Sequence, residues 1–212
     1  MCRSALLVSL AFLFTLSAGG CGGLLPEPGP ASVFYHLDYD PPPVDCLRSF
    51  GEGVRIREFS AASPYDRTEM TVLKPAGEVR FSGAYQWVAP PGRMVAESLG
   101  RDLSTGDLFS AVSMNGDPSF PPLELTGRIY TFAWEPNEGG ERAVLTVGIT
   151  LSGTVGGAEI HFNRIYRLGS PSQPGGKAPL FASAMSELVR DLSVRLQQDL
   201  CSLAQGEESA PK

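Results

Sequence analysis

The chain reads as an α+β protein: a single two-layer domain in which a largely antiparallel sheet carries two packed helices. Three observations predict it. Between Leu123 and Leu168, three runs of period-two hydrophobicity follow one another, separated by the turn-forming stretches Pro136-Asn137-Glu138-Gly139-Gly140 and Gly153 to Gly157. Two other stretches, Val95 to Leu103 and Met185 to Leu203, carry their apolar residues at helical spacing. The segments between them are short β-prone runs punctuated by proline and glycine.

Each element has its own warrant. Ser32 to Tyr39 contains Val33, Phe34, Tyr35 and Leu37, and Pro41-Pro42-Pro43 ends the run by removing backbone donors. Val54 to Phe59 sets Val54, Ile56 and Glu58 against Arg55, Arg57 and Phe59, the pattern of a half-buried strand. Glu69 to Leu73 and Glu78 to Ser82 flank the turn-like Lys74-Pro75-Ala76-Gly77 and read as a hairpin. A helix is expected to start at Pro90-Pro91, since a proline in the first turn gives up no hydrogen bond. Val95, Ala96, Leu99 and Leu103 form its apolar stripe, with Glu97, Arg101 and Asp102 turned away, until Thr105-Gly106 stops it.

Leu108 to Met114 is a further strand candidate, and Asn115-Gly116-Asp117-Pro118 is the turn after it. Leu123 to Glu135 places Leu123, Leu125, Ile129 and Ala133 on one face and Tyr130, Phe132 and Trp134 on the other. The alternations Ala143 to Leu151 and Ile160 to Leu168 complete a three-strand meander. From about Pro179 the period becomes helical: Met185, Leu188, Val189, Leu192, Leu196, Leu200 and Leu203 share a stripe, and Cys201 lies beside it.

The N-terminus sets the compartment. Arg3 precedes an apolar run from Ala5 to Leu16 that is too short to span a bilayer and has the order of a secretory signal. Ala18-Gly19-Gly20-Cys21 then resembles the lipobox of bacterial lipoproteins, which implies a signal peptide over 1–20 and acylation of Cys21, palmitate being one such chain. Gly22, where inner-membrane retention signals in many Gram-negative bacteria carry an aspartate, favours the outer membrane. The glycine- and proline-rich residues 22–31 complete a lipidated tether over 21–31, the α+β domain occupies 32–205, and residues 206–212 are expected to be a disordered tail. In an oxidising compartment Cys46 and Cys201 are expected to pair as a disulfide closing a long loop.

Composition narrows the function. The 212 residues carry a formal charge of -6, and removing the leader leaves the acidic excess at seven, so the composition gives no basic footprint for nucleic acid or anionic lipid headgroups. His36 and His161, the two histidines, have no catalytic motif around them, and two distant cysteines beside them make no metal site. Gly148 to Gly157 lacks the Lys-Ser or Lys-Thr of a phosphate loop, and Ser110, Ser113 and Ser119 lack nucleophile-elbow surroundings. No cofactor and no enzymatic activity are expected. Trp87, Tyr130, Phe132 and Trp134 are candidates to line an apolar groove for a partner or lipid, with core packing beneath the helices as the alternative.

The lipobox, the Phe34-Tyr35-His36-Leu37 strand, Gln86-Trp87-Val88-Ala89-Pro90 leading into a helix that ends Leu99-Gly100-Arg101-Asp102-Leu103, and a final helix ending Leu196-Gln197-Gln198-Asp199-Leu200 together resemble the ABC-type transport auxiliary lipoproteins. The resemblance implies a lipoprotein on the periplasmic face of the outer membrane, held there through Cys21. It would serve as the docking component of an MCE-type ABC lipid transport system. An MCE-domain protein and ABC transporter subunits would be its partners, and phospholipid a further ligand. A sheet edge or the Trp87 segment would make the contact. A lipid-binding or envelope-assembly lipoprotein without a transporter is the alternative, and a large apolar pocket would mark it.

Overall fold

The computed structural model describes residues 31–114, 116–173 and 177–206. The signal peptide, Cys21, the tether up to residue 30 and residues 207–212 of the expected tail lie outside the described residues.

Among the described residues, nine strands and two α-helices follow in order: β1 Val33–Tyr35, β2 Val54–Ile56, β3 Ser60–Ala61, β4 Glu69–Leu73, β5 Val79–Trp87, α1 Pro91–Ser104, β6 Val112–Ser113, β7 Leu123–Asn137, β8 Gly140–Val155, β9 Ala158–Gly169 and α2 Ala178–Ala204. The meander β7-β8-β9 is antiparallel throughout, as its alternation predicts. The N-terminal half corrects the largely antiparallel expectation. β2, β3 and β4 dock one after another, all parallel, along the free edge of β7, while β1 runs parallel to β5 and β6 parallel to β2. The sheet is therefore mixed. One strand of 15 residues offers an edge long enough for three short strands in succession, which local alternation does not reveal.

The short strands also depart from expectation. Val54 to Phe59 is not one strand: β2 stops at Ile56 and β3 begins at Ser60, because Phe59 turns inward and is buried. Its ring lies where a side chain on Gly127 would stand, 2.4 Å from an added Cβ, so β7 needs glycine there. The Ser32–Tyr39 and Leu108–Met114 candidates shrink to β1 and β6. The expected hairpin forms from β4 and β5, and β5 continues to Trp87.

A bulge at Tyr130 changes the faces of β7. Ile129 pairs with Val147 and Thr131 with Thr146, so Tyr130 has no partner and the inward set shifts from odd to even positions. Leu123, Leu125, Ile129, Phe132 and Trp134 consequently share one buried face with Ala143, Leu145, Val147, Ile149 and Leu151 of β8. Phe132 and Trp134, read onto the opposite face, thus join Leu123, Leu125 and Ile129, and Ala133, read with those three, falls on the other face with Val144. Tyr130 is left outside, lying over Gly148.

Both helices cover this inner face. α1 contacts β7 and α2, and α2 lies on β8 and β9. Met185, Leu188, Val189, Leu192, Leu196 and Leu200 are buried, each contributing roughly 1.5–3 kcal/mol, whereas the Arg93–Glu97 pair lies fully in solvent, where water screens it. The apolar stripe, not surface charge, holds the helix down. Cys46 and Cys201 form the expected disulfide with their Cα atoms 5.4 Å apart, tying the loop after β1 to the last turns of α2.

Two stability outcomes follow. Trp87→Ala should destabilise the fold by about 3–5 kcal/mol in chemical denaturation, while Tyr130→Ala, on the outer face, should cost well under about 1 kcal/mol. The bridge closes a sequence separation of 155 residues, so replacing Cys46 and Cys201 together by serine should cost about 2–5 kcal/mol, read as a lower denaturation midpoint.

Candidate functional site

Three of the four aromatic residues expected at a contact surface are packed inside. Trp87 meets Phe132 edge to face with ring centroids 5.3 Å apart, and both Trp87 and Trp134 close on Phe181 of α2 at 5.4 and 5.2 Å. The Trp134 indole N–H donates to Glu141 Oε2 at 2.5 Å, and Lys74 Nζ donates to Glu141 Oε1 at 3.0 Å. This cluster joins β5, β7 and α2, so Trp87, Phe132 and Trp134 are packing residues and not a groove. Tyr130 is the one of the four that reaches solvent.

Two polar clusters that the sequence reading missed share one composition. In the first, the Tyr39 hydroxyl donates to Asp102 Oδ2 at 2.7 Å. The guanidinium of Arg101 donates to Asp102 Oδ1 at 2.9 and 3.0 Å and lies 4.4 Å from the centre of the Tyr39 ring. Asp102 is fully buried, although its helical position turns it off the stripe; the loop after β1 folds over α1 and covers it. In the second, the Tyr166 hydroxyl donates to Asp199 Oδ2 at 2.7 Å and Arg164 pairs with Oδ1, fastening α2 to β9. Burial, reinforced by the adjacent carboxylate, raises both phenols far above the ordinary tyrosine value. Aspartates at these positions look like surface residues in sequence, because their partners lie 63 and 33 residues away.

Catalytic chemistry has little to work with. His36 and His161 are exposed and far apart in the fold, on the loop after β1 and on β9. The Ser113 hydroxyl is buried against the carbonyl of Val54. Among the described residues no group of three or more His, Cys, Asp or Glu could hold a metal ion, and no helix is long and apolar enough to cross a membrane. Two concavities are open: one of about 360 Å³ on the outer sheet face around Thr131, Arg142 and Arg167, and one of about 370 Å³ beside the β4–β5 turn.

The edges of the sheet are its least satisfied feature. β9 runs for 12 residues, pairs only with β8 and contains no proline, so one side of its backbone is unpaired within the described residues. Long regular edges of this kind invite an added strand. At the other end of the sheet the edge is β1, three residues paired with β5.

The described residues form a mixed sheet with two helices packed on one face. The ABC-type transport auxiliary lipoprotein component family matches residues 35–197, so the chain belongs to that family, and its members are lipoproteins associated with ABC transport. Among solved structures, the fold is similar to that of a Xanthomonas campestris protein from a family of unknown function, at 15% identity over 84% of this chain and 100% of the other with a TM-score of 0.70. An uncharacterized protein matches at 10% identity over 80% of this chain and 99% of the other, TM-score 0.61. No curated protein matches.

The paired phenols predict the alkaline behaviour. Their folded values lie above the unfolded value of 10.0, so their contribution is complete below pH 10 and is lost as the unfolded chain ionises above it. Stability should fall by about 1.4 kcal/mol per pH unit for each tyrosine above pH 10. Denaturation melts of Tyr39→Phe and Tyr166→Phe should each show a correspondingly shallower decline.

Proposed function

We propose that this chain is an outer-membrane lipoprotein, acylated on Cys21, that serves as the docking component of an MCE-type ABC lipid transport system. The observation that carries the reading is the family match over 35–197 joined to the Ala18-Gly19-Gly20-Cys21 motif upstream of it. The anchor holds the domain at the periplasmic face of the outer membrane. An MCE-domain protein, carried by its ABC transporter subunits, then engages the domain from the periplasm. ATP hydrolysis belongs to the transporter, and phospholipid moves through the MCE assembly.

Within the domain the docking element is the open edge of β9. The Trp87 side chain is buried, whereas among the described residues β9 presents unpaired backbone over 12 residues, the geometry that strand addition uses. The alternative of a lipid-binding lipoprotein needs an enclosed apolar cavity. The interior between sheet and helices is instead filled by Trp87, Phe132, Trp134, Phe181 and the leucines of α2.

In-cell crosslinking of the full-length protein, followed by mass spectrometry, should capture an MCE-domain protein or its transporter subunits, and Cys21→Ser should abolish the capture. Recovery of envelope-assembly machinery alone, or capture unaffected by Cys21→Ser, would contradict the docking role.

A further inference from the structure

Ten large apolar side chains are more than a third exposed among the described residues, and half of them sit together at one end of the sheet: Val33, Phe34, Phe81, Tyr85 and Val88. They belong to β1, to β5 and to the residue that follows β5. Register makes them neighbours. Val33 pairs with Tyr85 and Phe34 with Gln86, and the Val88 N–H donates to the carbonyl of Tyr35 at 2.9 Å. The pairing of β5 with β4 shifts between Phe81 and Gln86, so this part of β5 bulges off the hairpin, and the Tyr85 N–H takes the Ser82 hydroxyl as its acceptor.

Because successive residues alternate across a strand, Val33 and Phe34 present apolar groups on both faces of this edge. A protein partner seated on one face of the sheet would leave the other set in water. A bilayer boundary takes an edge with apolar groups on both sides, while the β1 backbone that is unpaired among the described residues stays at headgroup level, where water can satisfy it. Arg67 adds a matching charge. Its guanidinium lies 3.9 Å from the centre of the Phe81 ring, and among the described residues it has no carboxylate partner. A cation stacked at the rim of an apolar edge suits a lipid phosphate.

Chain connectivity allows the edge to reach the membrane. Val33 is 12 residues after Cys21, so even fully extended chain holds β1 within about 40 Å of the anchor. The first strand reached from the anchor is also the one with the exposed aromatic edge.

We infer that the β1–β5 edge, with Phe34, Phe81 and Tyr85 as its apolar contacts and Arg67 as its phosphate-facing cation, lies against the phospholipid surface and fixes the orientation of the domain on it. This rests on acylation of Cys21. It leaves β9, at the opposite edge of the sheet, turned away from the bilayer.

Tryptophan fluorescence on the acylated full-length chain tests it, since Trp87 and Trp134 are buried and give a constant background. Phe34→Trp and Phe81→Trp report the proposed face. Phe120→Trp, 84% exposed in the parent chain and just before the other end of β7, reports a remote one. The chains are reconstituted on vesicles of phosphatidylethanolamine and phosphatidylglycerol with brominated acyl chains, and flotation is measured alongside. Co-flotation with quenching at positions 34 and 81 and none at 120 is the expected result. Co-flotation with no more quenching at 34 and 81 than at 120 keeps the anchor and overturns the membrane-facing edge. Failure to float overturns the anchor and the inference together. Position 34 open to aqueous acrylamide on vesicles, but shielded once an MCE-domain protein is added, would assign the edge to that protein and overturn the inference.

Discussion

The pairing of β7 with β8 is the constraint on which the rest of this structure depends. It runs from Leu123 with Gly153 to Asn137 with Gly140, and it is interrupted only at the Tyr130 bulge. One edge of β7 is used up by β8, and the other receives β2, β3 and β4 in turn. The bulge adds twist and moves Phe132 and Trp134 to the face that already holds Leu123, Leu125 and Ile129, so the aromatic cluster with Trp87 and Phe181 forms under α2. Without that one-residue shift, Phe132 and Trp134 would face outward, and the helix would lose the surface it packs on.

The polar interior reinforces the same arrangement. Asp102 and Asp199 each join a tyrosine and an arginine, and in both clusters a helix is fastened to the chain beside it. A carboxylate taken out of water is tolerated only with its acceptor sites occupied, as those of the buried Asp102 are by Tyr39 and Arg101. The disulfide acts at the same end of α2, at Cys201, two residues beyond Asp199. The loop after β1 is thus pinned at Tyr39 and again at Cys46.

Much of this was legible in the sequence, for identifiable reasons. Strict alternation over Ala143 to Leu151 and Ile160 to Leu168 determines strand faces when no bulge intervenes, and β8 and β9 form as read. Pro91 and Thr105-Gly106 bound α1 where capping chemistry puts them, and the leucine stripe defines α2. What escaped depends on distant partners. Parallel docking of three short strands on β7 is a property of the assembled edge, the bulge at Tyr130 leaves no mark in composition, and the burial of Asp102 needs Tyr39 brought over it. The candidate site divides in the same way. Trp87, Phe132 and Trp134 could be picked out as aromatic, but only the register places them in the core. The free edges of β1 and β9 become visible once the strand order is known.

The proposed reading gives the domain two working edges, β1–β5 toward the membrane and β9 toward a protein partner. Site-specific photocrosslinking in cells, with a photoreactive side chain at Asn163 on β9 or at Phe34 on β1, tests it most directly. The account predicts that position 163 captures an MCE-domain protein and position 34 captures phospholipid. Capture of the protein from position 34, with only solvent-quenched product from position 163, would contradict it.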